Sequence, residues 1–190
     1  MKVLGIAGSP RSNGNTDMLL AEVMRGATEN GAEVNTILLR ELNISPCLHC
    51  DNCLKDGECN VADDMQFIYR ELQSIDRLVL ASPLHFMGLT SQTKLMVDRC
   101  QSLWVKKYKL NIPPLKDNRI RKGLFISVGG RRMDGLFEPA LATVRALFSS
   151  LNIEYSGSLV FPGIDEKGAI KEYPDALQGA FLAGQRFTEN

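Results

Sequence analysis

An excess of either charge is missing from this sequence: among 190 residues, 22 lysines and arginines stand against 22 aspartates and glutamates, with a sequence pI near 6.7. A balanced chain has no whole-molecule basic field for nucleic acid or anionic lipid, so any binding has to come from local sites. Long apolar runs are missing too. A membrane-spanning helix needs about 20 apolar residues, whereas Leu78-Val79-Leu80-Ala81, among the longest here, has the length of a buried strand. The run Val3-Leu4-Gly5-Ile6-Ala7 after Lys2 is shorter than the roughly 7–15 residue apolar core of a secretion signal. It leads into Ser9-Pro10-Arg11 and reads as a first strand. The chain is therefore expected to be cytoplasmic, with neither membrane nor nucleic acid as partner. Two phosphate signatures are also lacking. There is no Gly-Lys-Ser/Thr of the Walker A kind, and Gly5-Ile6-Ala7-Gly8-Ser9 leaves the dinucleotide G-x-G-x-x-G incomplete.

What is present is ordinary in bulk, with 44% hydrophobic and 23% charged residues, 16 glycines and 8 prolines. The length corresponds to one domain, 1–190. Short apolar runs alternate with amphipathic stretches. The runs Lys2 to Gly8, Val34 to Leu39, Arg77 to Ala81, Lys122 to Val128 and Ile153 to Phe161 mostly end at Gly, Ser or Pro. Between them Leu19, Leu20, Val23, Met24 and Ala27 share one helical face; Leu95, Met96, Cys100 and Leu103 share another, and Leu141, Val144, Leu147 and Phe148 a third. A last helix spans about Tyr173 to Phe187, after a connection around Pro162 to Gly168 with room for a small hairpin. This alternation predicts an α/β chain with a three-layer, doubly wound, five-stranded parallel sheet in the order 2-1-3-4-5. Ligands of such sheets bind beyond the carboxyl ends of the strands.

Three loops at those ends are unusual. The first, Gly8-Ser9-Pro10-Arg11-Ser12-Asn13-Gly14-Asn15-Thr16, passes from a strand into a helix whose N-terminus offers N–H groups and a positive dipole. Ser9, Ser12, Asn15 and Thr16 add donors, Asn15 or Thr16 can cap the helix, and Arg11 can offset charge. The second, Ser82-Pro83-Leu84-His85-Phe86-Met87-Gly88, mixes apolar faces with exposed backbone, as a planar ring system with a polar edge requires. The third, Ser127-Val128-Gly129-Gly130, exposes backbone at a strand end. Together they favour a mononucleotide with a flat ring.

Four of the five cysteines fall within Cys47 to Cys59, spaced C-x2-C-x2-C-x5-C. A polynuclear iron–sulfur cluster takes four thiolates at separate corners. Three close cysteines, Cys47, Cys50 and Cys53, with Cys59 returned by Gly57, suit that need. Mononuclear zinc prefers two separated ligand pairs; with His49 nearby it stays open beside free thiols or a redox disulfide. Cys100 falls on an inward helical spacing and reads as a small buried hydrophobe. The basic pair Arg131-Arg132 could meet an acidic partner or a nicotinamide phosphate, though such a loop pair is usually solvated, and the stretch Trp104 to Arg121 reads as an interface arm or a lid.

The first loop, the segment from Ser82-Pro83 through Asp98-Arg99, and the strand order resemble the NAD(P)H-dependent FMN reductases of the flavodoxin-like fold. The cysteine array and Asp63-Asp64-Met65 resemble their iron–sulfur flavoprotein branch. The resemblance implies FMN, its phosphate at Ser9, Arg11, Ser12, Asn15 and Thr16, and its isoalloxazine against Pro83, Leu84, His85, Phe86, Met87 and Gly88. Gly129 and Gly130 match less closely. It also implies a 4Fe-4S cluster on Cys47, Cys50, Cys53 and Cys59, in a loop at 45–62. Expected partners are NAD(P)H or ferredoxin as electron donor and a second copy in a homodimer or homotetramer. His85 and Met87 depart from the family pattern, where Tyr and Gly are common. The competing expectations are an FMN or quinone reductase without a cluster, and a non-enzymatic thiol or zinc redox sensor.

Overall fold

The computed structural model describes residues 1–189. Its elements in chain order are β1 (Lys2–Ala7), α1 (Asn15–Glu29), β2 (Glu33–Leu38), α2 (Met65–Ser74), β3 (Arg77–Ala81) and α3 (Ser91–Arg99). They continue with α4 (Gln101–Tyr108), β4 (Arg121–Gly129), α5 (Glu138–Ser150), β5 (Ile153–Pro162) and α6 (Pro174–Phe187). The five strands form one parallel sheet in the order β2-β1-β3-β4-β5, the flavodoxin-like arrangement that the alternation predicts. Successive side chains of each strand point to opposite faces. Leu4, Ile6, Leu78, Leu80 and Phe125 thus join a core under α2, α3, α4 and α5, whereas Val3, Ala7, Val79, Ala81, Leu124 and Ile126 join one under α1 and α6. All five β3 residues are buried, as a central parallel strand covered on both faces should be.

Two glycines set how closely α1 and α6 approach. A Cβ at Gly26 would lie 2.1 Å from the Phe181 carbonyl oxygen, and one at Gly184 2.0 Å from that of Val23. The face Leu95, Met96, Cys100 and Leu103 is divided between two helices. The Tyr69 hydroxyl donates to the Arg99 carbonyl at 2.5 Å. The Leu103 N–H, which would take that carbonyl in a continuous helix, turns to the Cys100 carbonyl at 3.0 Å.

Two expectations are corrected. The segment after β5 forms no strand pair and hence no hairpin; it holds turns and a 3-10 turn, Ala169–Glu172. Trp104–Tyr108 lies in α4, and the rest of the stretch to Arg121 is no lid over the strand carboxyl ends. Arg119 pairs with Asp76 at 2.7 Å, and Arg121 Nε donates to the Ile75 carbonyl at 3.0 Å, which pins the stretch to the opposite end of the sheet.

Candidate functional site

The first loop leaves β1 through Gly8, whose N–H donates to the Ala81 carbonyl at 2.7 Å and whose carbonyl accepts from Thr90 Oγ1 at 2.6 Å. A Cβ there would sit 1.9 Å from Thr93 Oγ1, so only glycine lets the loop lie against the start of α3. Ser9 Oγ folds the loop on itself, accepting from the Arg11 N–H at 3.1 Å and donating to the Arg11 carbonyl at 3.0 Å. Neither Asn15 nor Thr16 caps α1: Gly14 occupies the cap position and brings no side chain. The Asn15 amide is spent elsewhere, on the Glu166 carbonyl at 2.9 Å and the Ile170 N–H at 3.2 Å. The first N–H groups of a helix have no internal partner. Here they stand beside Thr16 Oγ1, buried with no hydrogen-bond partner among the described residues. Asp17 is the acidic residue of that first turn. Burial pushes its carboxyl up and Arg40 opposes the shift. Arg40 Nη1 meets its Oδ2 at 3.0 Å, while Oδ1 is buried with no hydrogen-bond partner among the described residues.

The first loop opens into a cleft at the carboxyl ends of the strands, where ligands of such sheets bind. The cleft brings together Ser9, Arg11, Asn15 and Thr16 of the first loop, Pro83, Leu84 and His85 of the second, and Gly130 of the third. Ser12, Phe86, Met87, Gly88 and Gly129 lie outside its lining. Ser12 is exposed and Gly129 is buried at the end of β4. Phe86 and Met87 form a two-residue turn with φ of 50° and 63°, closed by paired His85 and Gly88 hydrogen bonds of 3.0 Å. The turn projects Phe86 fully into solvent.

Sequence reasoning missed one wall: Ile164, Asp165 and Lys167, from the segment after β5. Arg11 Nη1 reaches the Asp165 carbonyl at 3.3 Å, and the Gly163 and Ile164 N–H groups bond the Gly129 carbonyl at 2.7 and 3.0 Å. Arg131 and Arg132 are exposed and line no part of this cavity.

The cysteine loop is closed at its base by two carboxylates. Asp64 Oδ2 accepts from the Asn43 N–H at 2.7 Å, and Asp63 accepts from the Ser45 N–H at 2.9 Å and the Met65 N–H at 3.1 Å. These aspartates therefore hold the loop shut besides opening α2. Gly57, at φ 78°, returns the chain toward Cys59 with its N–H on the Cys53 carbonyl at 2.7 Å. It packs on the stem of Lys106, which pairs with Glu58. The loop and the start of α4 form a second, small cavity lined by Cys47, Cys50, Cys53 and Cys59 with Leu48, Leu54, Val61, Val105 and Arg99. Burial pushes the Cys53 thiol up, reinforced by repulsion from Cys59, Cys47 and Cys50. Among the described residues no three His, Cys, Asp or Glu converge closely enough for one metal ion. Four thiols line this one cavity, the donor chemistry that an iron–sulfur cluster takes at its corners and that zinc also takes. Cys100 stands apart and buried, its thiol pushed up to about 12 by desolvation.

Comparison with known proteins agrees with this architecture. A family described as NADPH-dependent FMN reductase matches residues 1–155. An iron-sulfur flavoprotein of Methanocaldococcus jannaschii is 38% identical over 103 residues, covering 54% of this chain and 53% of the relative. A second from that organism is 37% identical over 149 residues, covering 78% of this chain and 71% of the relative. The chain thus spans about half the length of the first of these relatives. An NAD(P)H:quinone oxidoreductase from Methanothermobacter marburgensis superposes with a TM-score of 0.72 over 100% of this chain and 98% of its own, at 14% identity, a likeness of fold alone. With the family match and the 37% identity both extending over most of its length, this chain belongs to the NADPH-dependent FMN reductase family, in its iron–sulfur flavoprotein branch.

Proposed function

We propose that the protein is an FMN-dependent oxidoreductase of the iron–sulfur flavoprotein kind, moving electrons from NAD(P)H or ferredoxin to an acceptor such as a quinone. The whole chain serves as one flavin-binding domain, with the loop at 45–62 holding a 4Fe-4S cluster through Cys47, Cys50, Cys53 and Cys59. The observation that carries the flavin reading is Thr16 Oγ1, buried without a partner at an uncapped helix N-terminus that opens into the cavity at the strand ends. When bound, the flavin supplies exchange between two-electron and one-electron chemistry, and the cluster takes single electrons.

The chain's own residues bind and orient. Thr16 and the first N–H groups of α1 hold the phosphate, and Arg11 and Lys167 balance its charge against Asp165. Pro83, Leu84 and His85 would hold the ring. The turn at Phe86 and Met87 stands at the rim, outside the lining, where a planar acceptor or a second subunit of a homodimer or homotetramer would meet it. No side chain is required as nucleophile or general acid.

Titration of flavin-free protein with FMN and with riboflavin tests this. FMN should bind far more tightly than riboflavin, and Thr16→Val should weaken FMN by about 10–100-fold, the worth of one hydrogen bond to a charged group, while leaving riboflavin unchanged. Equal binding of the two flavins, or a Thr16→Val protein that holds FMN as wild type does, overturns the reading. Iron and sulfide analysis after anaerobic purification separates the cluster reading from a cluster-free quinone reductase. Stoichiometric zinc with no flavin would instead favour a thiol or zinc sensor.

A further inference from the structure

Arg99 ends α3 with a guanidinium that is 2% exposed and lines the cysteine cavity. Nη1 donates to the Ser45 carbonyl at 3.0 Å and to Asp63 Oδ2 at 2.6 Å. Nη2 donates to Asp63 Oδ1 at 3.3 Å and to Cys59 Sγ at 3.4 Å. Nε is buried with no partner among the described residues. As a stability device this is poor, since an unused buried donor costs about 1–3 kcal/mol and buried ion pairs are often matched or bettered by apolar residues of similar volume. The arrangement is polarised instead. The cation touches the sulfur of one cysteine, while its counter-ion is anchored by the Ser45 and Met65 N–H groups and makes no hydrogen bond to that sulfur among the described residues.

We propose that Arg99 sets the reduction potential of an iron–sulfur cluster on the four cysteines, raising it through a charged N–H bond to the Cys59 corner. This rests on the reading that those cysteines hold a cluster. Reduction adds one negative charge, taken from an external one-electron reductant that is itself oxidised; no covalent bond forms or breaks. No proton moves, because a guanidinium keeps its proton throughout. Donors and positive charge at cluster sulfurs favour the more negative, reduced form, and such contacts are among the levers that spread cluster potentials. Asp63 then acts as a positioning residue, holding the fork of Arg99 so that Nη2 faces the sulfur. The same ion pair fixes the end of α3 to the loop, so the donor cannot swing away without opening the loop's base.

The test is a dithionite titration of anaerobically prepared holoprotein, followed by electron paramagnetic resonance of the reduced cluster. The double variant Arg99→Met/Asp63→Leu removes the donor to the Cys59 sulfur together with both charges of the ion pair, so that neither charge is left buried alone. At a fixed potential its ratio of reduced to oxidised cluster should fall at least tenfold, which is 59 mV for a one-electron couple. Arg99→Lys, which keeps the charge without the fork, should fall between the two. In wild-type protein labelled with guanidino-¹⁵N arginine, pulsed resonance should show a nitrogen weakly coupled to the reduced cluster, a measurement that needs no variant to fold. An unchanged midpoint in a double variant with full iron and sulfide, or no arginine nitrogen at the wild-type cluster, overturns the proposal. Wild-type protein without iron and sulfide overturns the cluster reading, and this inference falls with it.

Discussion

Asp63 shows how one side chain can serve a loop, a helix and a buried cation at once. Its side chain is 5% exposed beside that of Arg99 at 1%. Burial alone would raise its carboxyl, but donation from Arg99 and from the Ser45 and Met65 N–H groups outweighs burial and holds it below the usual carboxylate range. A carboxyl depressed in the folded state contributes stability that is fully present above its unfolded value of about 3.9 and is lost as pH falls through the lower folded value. Urea unfolding at pH 6 and at pH 3 should therefore show wild type losing more stability on acidification than Asp63→Asn. At pH 6 Asp63→Ala should cost about 3–5 kcal/mol, because it strands a buried guanidinium. A variant that unfolds at the wild-type urea midpoint at pH 6 would remove Asp63 from that role. The turn residues Phe86 and Met87 carry strain of another sort. Both hold positive φ without being glycine, a conformation that costs roughly 1–2 kcal/mol per residue and concentrates where function constrains the chain.

Among the elements, the pair α1 and α6 gives a contrast within one helix. Gly179 and Gly184 both lie inside α6, where alanine is ordinarily favoured over glycine by about 0.8–1 kcal/mol. A Cβ at Gly179 meets nothing within 4 Å, whereas one at Gly184 meets the Val23 carbonyl oxygen at 2.0 Å, a backbone atom that cannot yield without moving α1. Thermal unfolding should show Gly179→Ala stabilised by roughly 0.5–1 kcal/mol and Gly184→Ala destabilised by about 1–3 kcal/mol. Equal behaviour of the two would mean that the helices are not in close contact. The five strands were legible because apolar runs ending at Gly, Ser or Pro report a buried parallel strand locally; Arg77–Ala81 coincides with its predicted range and the others differ only at their ends. The wall at Ile164, Asp165 and Lys167 was not legible. The sequence from Gly163 to Gly168 reads as turns, and what brings it to the first loop is the bond from Asn15 to the Glu166 carbonyl, 151 residues away. The role of Arg99 was hidden for a similar reason: in the sequence it only ends the segment that carries the family resemblance, and the packing of α3 on the cysteine loop is what buries it.

At the scale of the whole molecule, the two cavities share no lining residue. One opens at the strand ends between loops that follow β1, β3, β4 and β5, and the other lies between the cysteine loop and α4. Their most direct structural connection is α3. Its capping Thr90 holds the Gly8 carbonyl at 2.6 Å beneath the first loop, and its last residue, Arg99, holds Cys59 and Asp63. A rigid helix with one end in each site couples them only if it has two arrangements of similar energy. Here both ends are fixed by buried contacts, Thr90 and Thr93 at one and Tyr69 with Asp63 at the other. The two sites should therefore bind independently. FMN affinity of Cys50→Ala and Cys59→Ala proteins, measured by flavin fluorescence, should stay within about twofold of wild type, since sites without a shared partner couple by only about 0.3–0.5 kcal/mol. FMN at 100 times its Kd should stabilise all three proteins by the same ~2.7 kcal/mol. A tenfold loss of FMN affinity on removing Cys59 would instead show that α3 shifts when its far end is released, making the cysteine loop a determinant of the flavin site.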